Sequence, residues 1–380
     1  MINLLKYLTV VDLSILKKTK ILVYAPLNIK NIEKITKIKY HLMSLPFERT
    51  NIYILIKMFM TFKFKKFDYL KYYIDQVSPK LIITTYDNDI NVYKLKKQFP
   101  KIKFIVIQNG RRGSNHDIFN NEFKKPNKNK YSIDYFFVFG KAIERQFKKF
   151  VSANYYCAGS FKNNFYKSYN KKNINKKKIV FISQFRPLKR YIEKSKESIV
   201  RQGLSIGGGH TKLFKQLEIF CLQNKIKLFI LPSSIYKTHA FNKEEEYFKD
   251  LSINKKIFLI KKNDTLQSYK ILDKFDVYFG LDSTFIYEAL SKNKRIGAFS
   301  VSENNNFSLF TWPLTTSKSG YFFSNKINSI EIERIYNNIT NLNSKKWLKH
   351  LNYFKKNYMY FDYKNFKLKK LIKKIINESN

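Results

Sequence analysis

The feature that most constrains this chain is an alternation of short apolar runs with longer segments of helical periodicity, from about residue 20 to residue 300. Repeated βα units produce such a rhythm, and it predicts parallel sheets with helices on their faces. In the first half, residues 20–25 (KILVYA) read as a buried strand that ends at Pro26. Residues 80–86, 103–108, 134–139 and 155–157 read as further strands. Helices are expected over 67–77, 90–99 and 141–150, and residues 31–64 read as mainly helical with a break at Pro46.

The rhythm stops in the Lys- and Asn-rich run 163–178 (NNFYKSYNKKNINKKK), which has few apolar anchors and reads as an interdomain linker. It then restarts, with strands over 179–183, 227–231, 257–260, 276–280 and 295–300. Helices are expected over 210–223, 243–251, 266–275 and 284–292, then over 329–340, 345–356 and 363–377. A chain of 380 residues suits two domains better than one core. The expected division is 1–165 for the first domain, 166–345 for the second, and 346–380 for basic helices that pack back on the first. No short-period repeat points to a solenoid.

The net charge of +45 invites a nucleic-acid function, but only nine of the 73 cations are Arg. Abundant Lys, Asn, Ile, Tyr and Phe are what AT-rich codons impose, and base-edge readout favours the bidentate Arg fork over the Lys point charge. The composition therefore points away from nucleic acid. It leaves a solvated surface set by coding bias, or attraction to an anionic inner-membrane surface or to an acidic lipid-linked acceptor. The most apolar stretch, 52–62, is interrupted by Lys57 and falls short of a spanning helix. Lys6 and Asp12 near the N-terminus, with no small-residue cleavage site, do not make an export signal. The expected location is cytoplasmic, peripheral on the inner face of the plasma membrane. Cys157 and Cys221 have no metal-ligand or disulfide spacing and read as free thiols of a reducing compartment.

Two stretches carry candidate chemistry. In 276–300 (DVYFGLDSTFIYEALSKNKRIGAFS) a strand runs into Asp282, Ser283 and Thr284 and straight into a helix bearing Glu288. This puts hydroxyls and free backbone N–H groups where an anion meets a helix N-terminus. Glu288 lies one turn further on, where a carboxylate accepts from a vicinal diol. The plain alternative makes Asp282 or Ser283 an N-cap and Glu288 an exposed helical charge; on the donor-site reading, Glu288→Ala is expected to weaken donor binding and leave the fold intact. In 82–113, Asp87 and Asp89 follow a strand end, where open α/β sheets collect ligands. Gln108, Asn109, Gly110 and Arg111 follow the next strand. Two carboxylates, two amides and a guanidinium make an acceptor site there; the alternative is that Asp87 caps a helix.

Other signals are weaker. Arg186 follows the first strand of the second half and is placed to reach a phosphate. Ser233 ends another strand and is a candidate to line a nucleobase pocket. Gly207–Gly209 lacks the Lys-Ser/Thr of a P-loop, and no GxGxxG or GxSxG occurs. His41, His116, His210, His239 and His350 are scattered without metal-ligand spacing.

Asp87-Asn88-Asp89, Ile107 to Arg111, Phe137 to Gly140, Ala158 to Ser160, Phe181 to Arg186, Asp282 to Thr284 with Glu288 to Leu290, Trp312-Pro313 and Gly320 to Phe322 together resemble a known group. It is that of bacterial surface-carbohydrate biosynthesis proteins of GT-B architecture, related in outline to the CDP-glycerol glycerophosphotransferases and the Kdo transferases. The resemblance spans most of residues 20–350, in short elements. Where many relatives carry His-Pro, this chain has Leu231-Pro232-Ser233.

The resemblance implies an α/β fold of two doubly wound, Rossmann-like domains facing a central cleft, with a C-terminal helical tail. It implies a metal-independent glycosyltransferase without a cofactor, taking a nucleotide sugar as substrate and a glycan or lipid-linked acceptor. The donor would meet Arg186, Ser233, Asp282, Ser283, Thr284 and Glu288. The acceptor would meet Gln108, Asn109, Gly110 and Arg111, and Asp87 or Asp89 would be the base, with His116 the next candidate. Two other functions stay open: a nucleotide-sugar 2-epimerase, which shares the fold, and a basic membrane- or nucleic-acid-binding protein without chemistry.

Overall fold

A computed structural model describes residues 10–24, 28–36, 39–43, 45, 49–110, 112, 118, 131–167, 174–185, 209–281, 283–300 and 319–378. The first elements along the chain are β1 (Val11–Asp12), β2 (Ile21–Tyr24), α1 (Ile29–Thr36), β3 (His41–Leu42), β4 (Thr50–Asn51), α2 (Ile52–Met60) and α3 (Lys66–Val77). There follow β5 (Leu81–Thr84), α4 (Ile90–Gln98), β6 (Lys103–Ile107), β7 (Tyr131–Val138), α5 (Lys141–Phe147) and β8 (Val151–Cys157). Next come β9 (Lys178–Ile182), α6 (Gly209–Gln223), β10 (Lys227–Leu231), α7 (His239–Leu251), β11 (Phe258–Leu259), α8 (Gln267–Ile271), β12 (Val277–Leu281) and α9 (Thr284–Ser291). The last are β13 (Arg295–Phe299), β14 (Ser319–Gly320), β15 (Phe323–Ser324), α10 (Ser329–Asn341), α11 (Ser344–Tyr358) and α12 (Phe366–Asn377).

The chain divides into two units: Met1–Asn109 with His116–Phe165 and Asp362–Asn380, and Gly110–Asn115 with Tyr166–Phe361. The C-terminal stretch expected as one tail over 346–380 is thereby split between them. In α11, Trp347 and Leu351 are buried, and the Trp347 indole N–H donates to the Asn293 carbonyl just past α9 (3.1 Å), which ties α11 to the second unit. The expected linker also starts inside the first unit, since Asn163 and Asn164 are buried in a 3-10 turn.

In the first unit a six-stranded parallel sheet runs β3-β2-β5-β6-β7-β8. One face carries Ile21, Val23, Leu81, Ile83, Ile105 and Ile107 into a core that α1 and α12 complete. Leu368, Leu371, Ile372, Ile375 and Ile376 recur on α12 at helical spacing, so its apolar stripe is buried while its lysines stay out. An asparagine network holds this end in place. Asn164 donates to Ala158 O and to Asn365 Oδ1 (both 2.8 Å), and Asn365 donates to Phe161 O (3.0 Å).

The helix expected through 31–64 is instead two helices with two-residue strands between them. β3 pairs with β2, and β4 pairs with β1 in a separate ladder. Strands of two residues are too short to show a period in sequence.

In the second unit seven strands run β11-β10-β9-β12-β13-β15-β14, all parallel except the β14–β15 pair. Phe181 on β9 packs against His210 and Phe214 of α6 and Phe248 of α7 (ring centroids 5.0, 5.5 and 6.0 Å). The helix expected over 266–275 shortens to α8. Cys157 and Cys221 are both free, and burial pushes each thiol up to about 12. No helix among the described residues is long and apolar enough to cross a membrane.

Candidate functional site

The strand order of the second unit reverses between β9 and β12, and doubly wound sheets bind ligands outside the carboxyl ends of the strands at such a reversal. Ser183, Gln184 and Phe185 leave β9 there, and Ser283 and Thr284 lead from β12 into α9. Ser283 is the N-cap of α9: its backbone is extended (φ −104°, ψ 141°) and its hydroxyl accepts from the Phe285 N–H at 3.2 Å. The Ser283 N–H is engaged with Leu281 O (2.6 Å) and the Ile286 N–H with Ser283 O (3.0 Å), so what the start of α9 offers an anion is the positive end of the helix dipole.

Glu288 is no exposed helical charge. It is buried, and it accepts a hydrogen bond from the Tyr269 hydroxyl at 3.0 Å. The Tyr269 ring is stacked on Tyr166 (5.3 Å, 14°) and leans on Phe285 (5.7 Å). The carboxylate is thus aimed by a residue that is itself held on two sides.

The turns after β9 and β10 are built around Glu244 of α7, which has no exposed surface. Its carboxylate accepts from the Ser233 N–H (2.9 Å), the Ser234 N–H (3.0 Å), and the hydroxyls of Ser183 and Ser234. The Ser233 hydroxyl donates to Phe185 O (2.8 Å), which ties the two turns together. His210 at the start of α6 accepts the Gln184 N–H on Nε2 (3.0 Å). Burial lowers this imidazole to about 4, so it stays neutral and keeps its acceptor.

In the first unit the order reverses between β2 and β5. Asp89 caps α4 and accepts from the Asn91 N–H (2.9 Å) and from the Tyr24 hydroxyl (2.7 Å). Asp89, not Asp87, is therefore the helix cap. Asp87 is fully buried, and its Oδ1 accepts the Asn109 N–H (3.1 Å). Asn109 Oδ1 in turn accepts from Asn28 Nδ2 (2.9 Å), and Asn28 sits just before α1 in the left-handed conformation that Asn tolerates (φ 66°). Gln108 is buried, and its Oε1 accepts the Phe139 N–H (2.9 Å), joining the ends of β6 and β7.

Asp87, Asp89, Asn109 and Asn28 thus converge at one end of the first sheet, and Ser283, Thr284 and Glu288 at one end of the second. Arg111, His116, Arg186 and Asp282 lie outside the described residues. Tyr269, Glu244, Tyr24, Asn28 and the acceptor role of His210 fall outside every motif in the sequence. Only Glu244 left a signal: Phe241, Glu244 and Phe248 share one helical face, so the middle acid of that stripe points inward. Among the described residues no cluster of three or more His, Cys, Asp or Glu is arranged to hold a metal.

Two doubly wound sheets in separate units, the second in 3-2-1-4-5 strand order, are the fold class of the GT-B proteins. The chain belongs to a family described as that of an O-antigen biosynthesis protein, whose profile matches residues 105–376. No curated protein matches it. Among solved structures, it is similar to a protein from Listeria monocytogenes assigned as a UDP-N-acetylglucosamine 2-epimerase, with TM-score 0.54, 11% identity, and coverage of 96% of this chain and 98% of that one. It is also similar to the wall teichoic acid polymerase TagF (TM-score 0.49, 12% identity, 99% and 92% covered). A glycosyltransferase from Rickettsia africae matches at TM-score 0.48 and 12% identity, with 94% and 99% covered. At such identities the likeness is one of fold.

Proposed function

We propose that this protein is a glycosyltransferase that moves a sugar from a nucleotide-activated donor to a surface-polysaccharide or lipid-linked acceptor. The observation that carries the proposal is the meeting of the α9 N-terminus with the buried, Tyr269-held Glu288 at the strand-order reversal of the second sheet. A diphosphate suits the helix start at Ser283 and Thr284, and a ribose or sugar diol suits the carboxylate one turn on. Membership of an O-antigen biosynthesis family supports the acceptor class.

In this reading no metal takes part: the α9 N-terminus and basic residues, Arg186 among them by resemblance, neutralise the leaving phosphate. The Ser233 hydroxyl donates to Phe185 O, and Ser233 would line the nucleobase pocket on the loop that this bond holds. The first unit would take the acceptor. Asp89, partly exposed, would receive the acceptor proton, while buried Asp87 fixes Asn109. The work would be done on the inner face of the plasma membrane.

A nucleotide-sugar 2-epimerase is the second reading, favoured by the fold shared with the Listeria protein. Incubation with labelled nucleotide sugars, with and without membrane lipid extract, separates the two. Label appearing in the lipid fraction supports transfer; a C2 epimer formed without any acceptor would refute it.

A further inference from the structure

The helix α2 (IYILIKMFM) is apolar all round, with Lys57 its one charge, yet only Ile54, Leu55 and Met58 are buried. Tyr53, Ile56, Phe59 and Met60 are exposed, Met60 by 77%, and Phe62 beyond the helix by 82%. The exposed apolar surface continues into the neighbouring segment, because β1 pairs with β4 and Asn51 Nδ2 donates to Ser14 O (2.8 Å). Leu13 and Ile15 on that segment are exposed as well. Scattered exposed apolar residues are ordinary; a contiguous set on one helix and its neighbour marks a contact surface.

The charges around it decide the partner. Lys17, Lys18, Arg49, Lys63 and Lys65 are exposed beside the apolar residues. Across 10–18 and 49–75 eight cations face three acids: Asp12, which is buried and 3.5 Å from Arg49, and Asp68 and Asp75 of α3. We infer that α2 and the adjoining segment 10–15 form a docking face for an anionic lipid surface, with apolar side chains in the headgroup–acyl boundary and the cations on the phosphates. A second copy of this chain would bring the same net-positive fringe and be repelled. The Lys-rich α12 serves poorly as the inserting element, because its apolar stripe lies inside the core of the first unit. This inference gives a location to the membrane part of the proposed function and does not depend on the transfer chemistry.

Flotation of the full chain with phosphatidylglycerol-containing and pure phosphatidylcholine vesicles tests it. The parent should float with the anionic vesicles and not with the neutral ones. A triple Ile56→Ser, Phe59→Ser, Met60→Ser variant should need about tenfold more anionic lipid, as expected when several apolar groups leave the interface. Lys63→Glu with Lys65→Glu should weaken binding at low salt, and Leu222→Ser, an exposed apolar site of the second unit, should change nothing. Unchanged melting temperatures would show that the variants fold. Flotation of the folded triple variant equal to the parent's would overturn the inference. So would equal binding to neutral vesicles, or a parent dimer in sedimentation that the triple variant abolishes.

Discussion

Tyr269 donates its phenolic hydrogen to the Glu288 carboxylate across 3.0 Å, and both side chains are buried. A buried acid held by a stacked tyrosine keeps one orientation before any ligand arrives. That is the preorganisation a sugar- or ribose-binding carboxylate needs.

The pair makes Glu288 structural as well as functional. Glu288→Ala should lower stability by about 1–3 kcal/mol, because the buried Tyr269 hydroxyl loses its acceptor. Glu288→Gln keeps an acceptor and should melt close to the parent, while nucleotide-sugar affinity falls about tenfold with loss of the charge. Calorimetric titration with donor and thermal melting of both variants check this. An Ala variant as stable as the parent would remove Tyr269 from the account.

Glu244 should behave as the organiser of the donor loops. Glu244→Ala strands the Ser233 and Ser234 N–H groups and should destabilise by about 3 kcal/mol. Glu244→Gln should fold and bind donor more weakly, since the two turns lose their shared charged acceptor. Chemical denaturation and donor titration read the two effects separately.

Much of the fold was legible in the sequence, because strands such as Ile21–Tyr24 and Leu81–Thr84 are continuous apolar runs closed by turns. The two-residue strands β3 and β4 were not, since their pairing partners are set by tertiary contacts. The site was half legible. Ser283 sits where a Ser before an apolar run belongs, but the burial of Glu288 depends on Tyr269, nineteen residues away on another helix. Glu244 was hidden in a run of three acids in which Glu245 and Glu246 pair with lysines outside.

His210 should give the protein an acid-sensitive limb. Its folded value of about 4 lies below the ordinary 6.5, so the unfolded chain binds the extra proton first. The stability it contributes is present above about pH 6.5 and is lost as pH falls towards 4, with a slope approaching 1.4 kcal/mol per pH unit. His210→Gln, which keeps an acceptor for the Gln184 N–H, should flatten that limb. Denaturation midpoints from pH 4 to 7 for parent and variant would show the difference, and identical slopes would contradict it.

Asp89→Asn separates charge from capping, because Asn caps helices as well as Asp does. Asn keeps one acceptor oxygen where Asp89 uses two, so the variant should lose about 1 kcal/mol at the Tyr24 hydroxyl and bind donor equally, while transfer drops by about 10²–10⁴-fold, the range for loss of a general base. Full transfer by this variant would move the base to Asp87 or His116.

The most direct test of the central claim is thermal melting of the parent and of Glu288→Gln against CMP-, CDP-, UDP- and GDP-linked sugars. Ligands that bind only the folded state raise the melting temperature. One nucleotide class is expected to raise it in the parent and much less in the variant. No shift with any nucleotide sugar, or an equal shift in both proteins, would contradict a donor site at Ser283, Thr284 and Glu288.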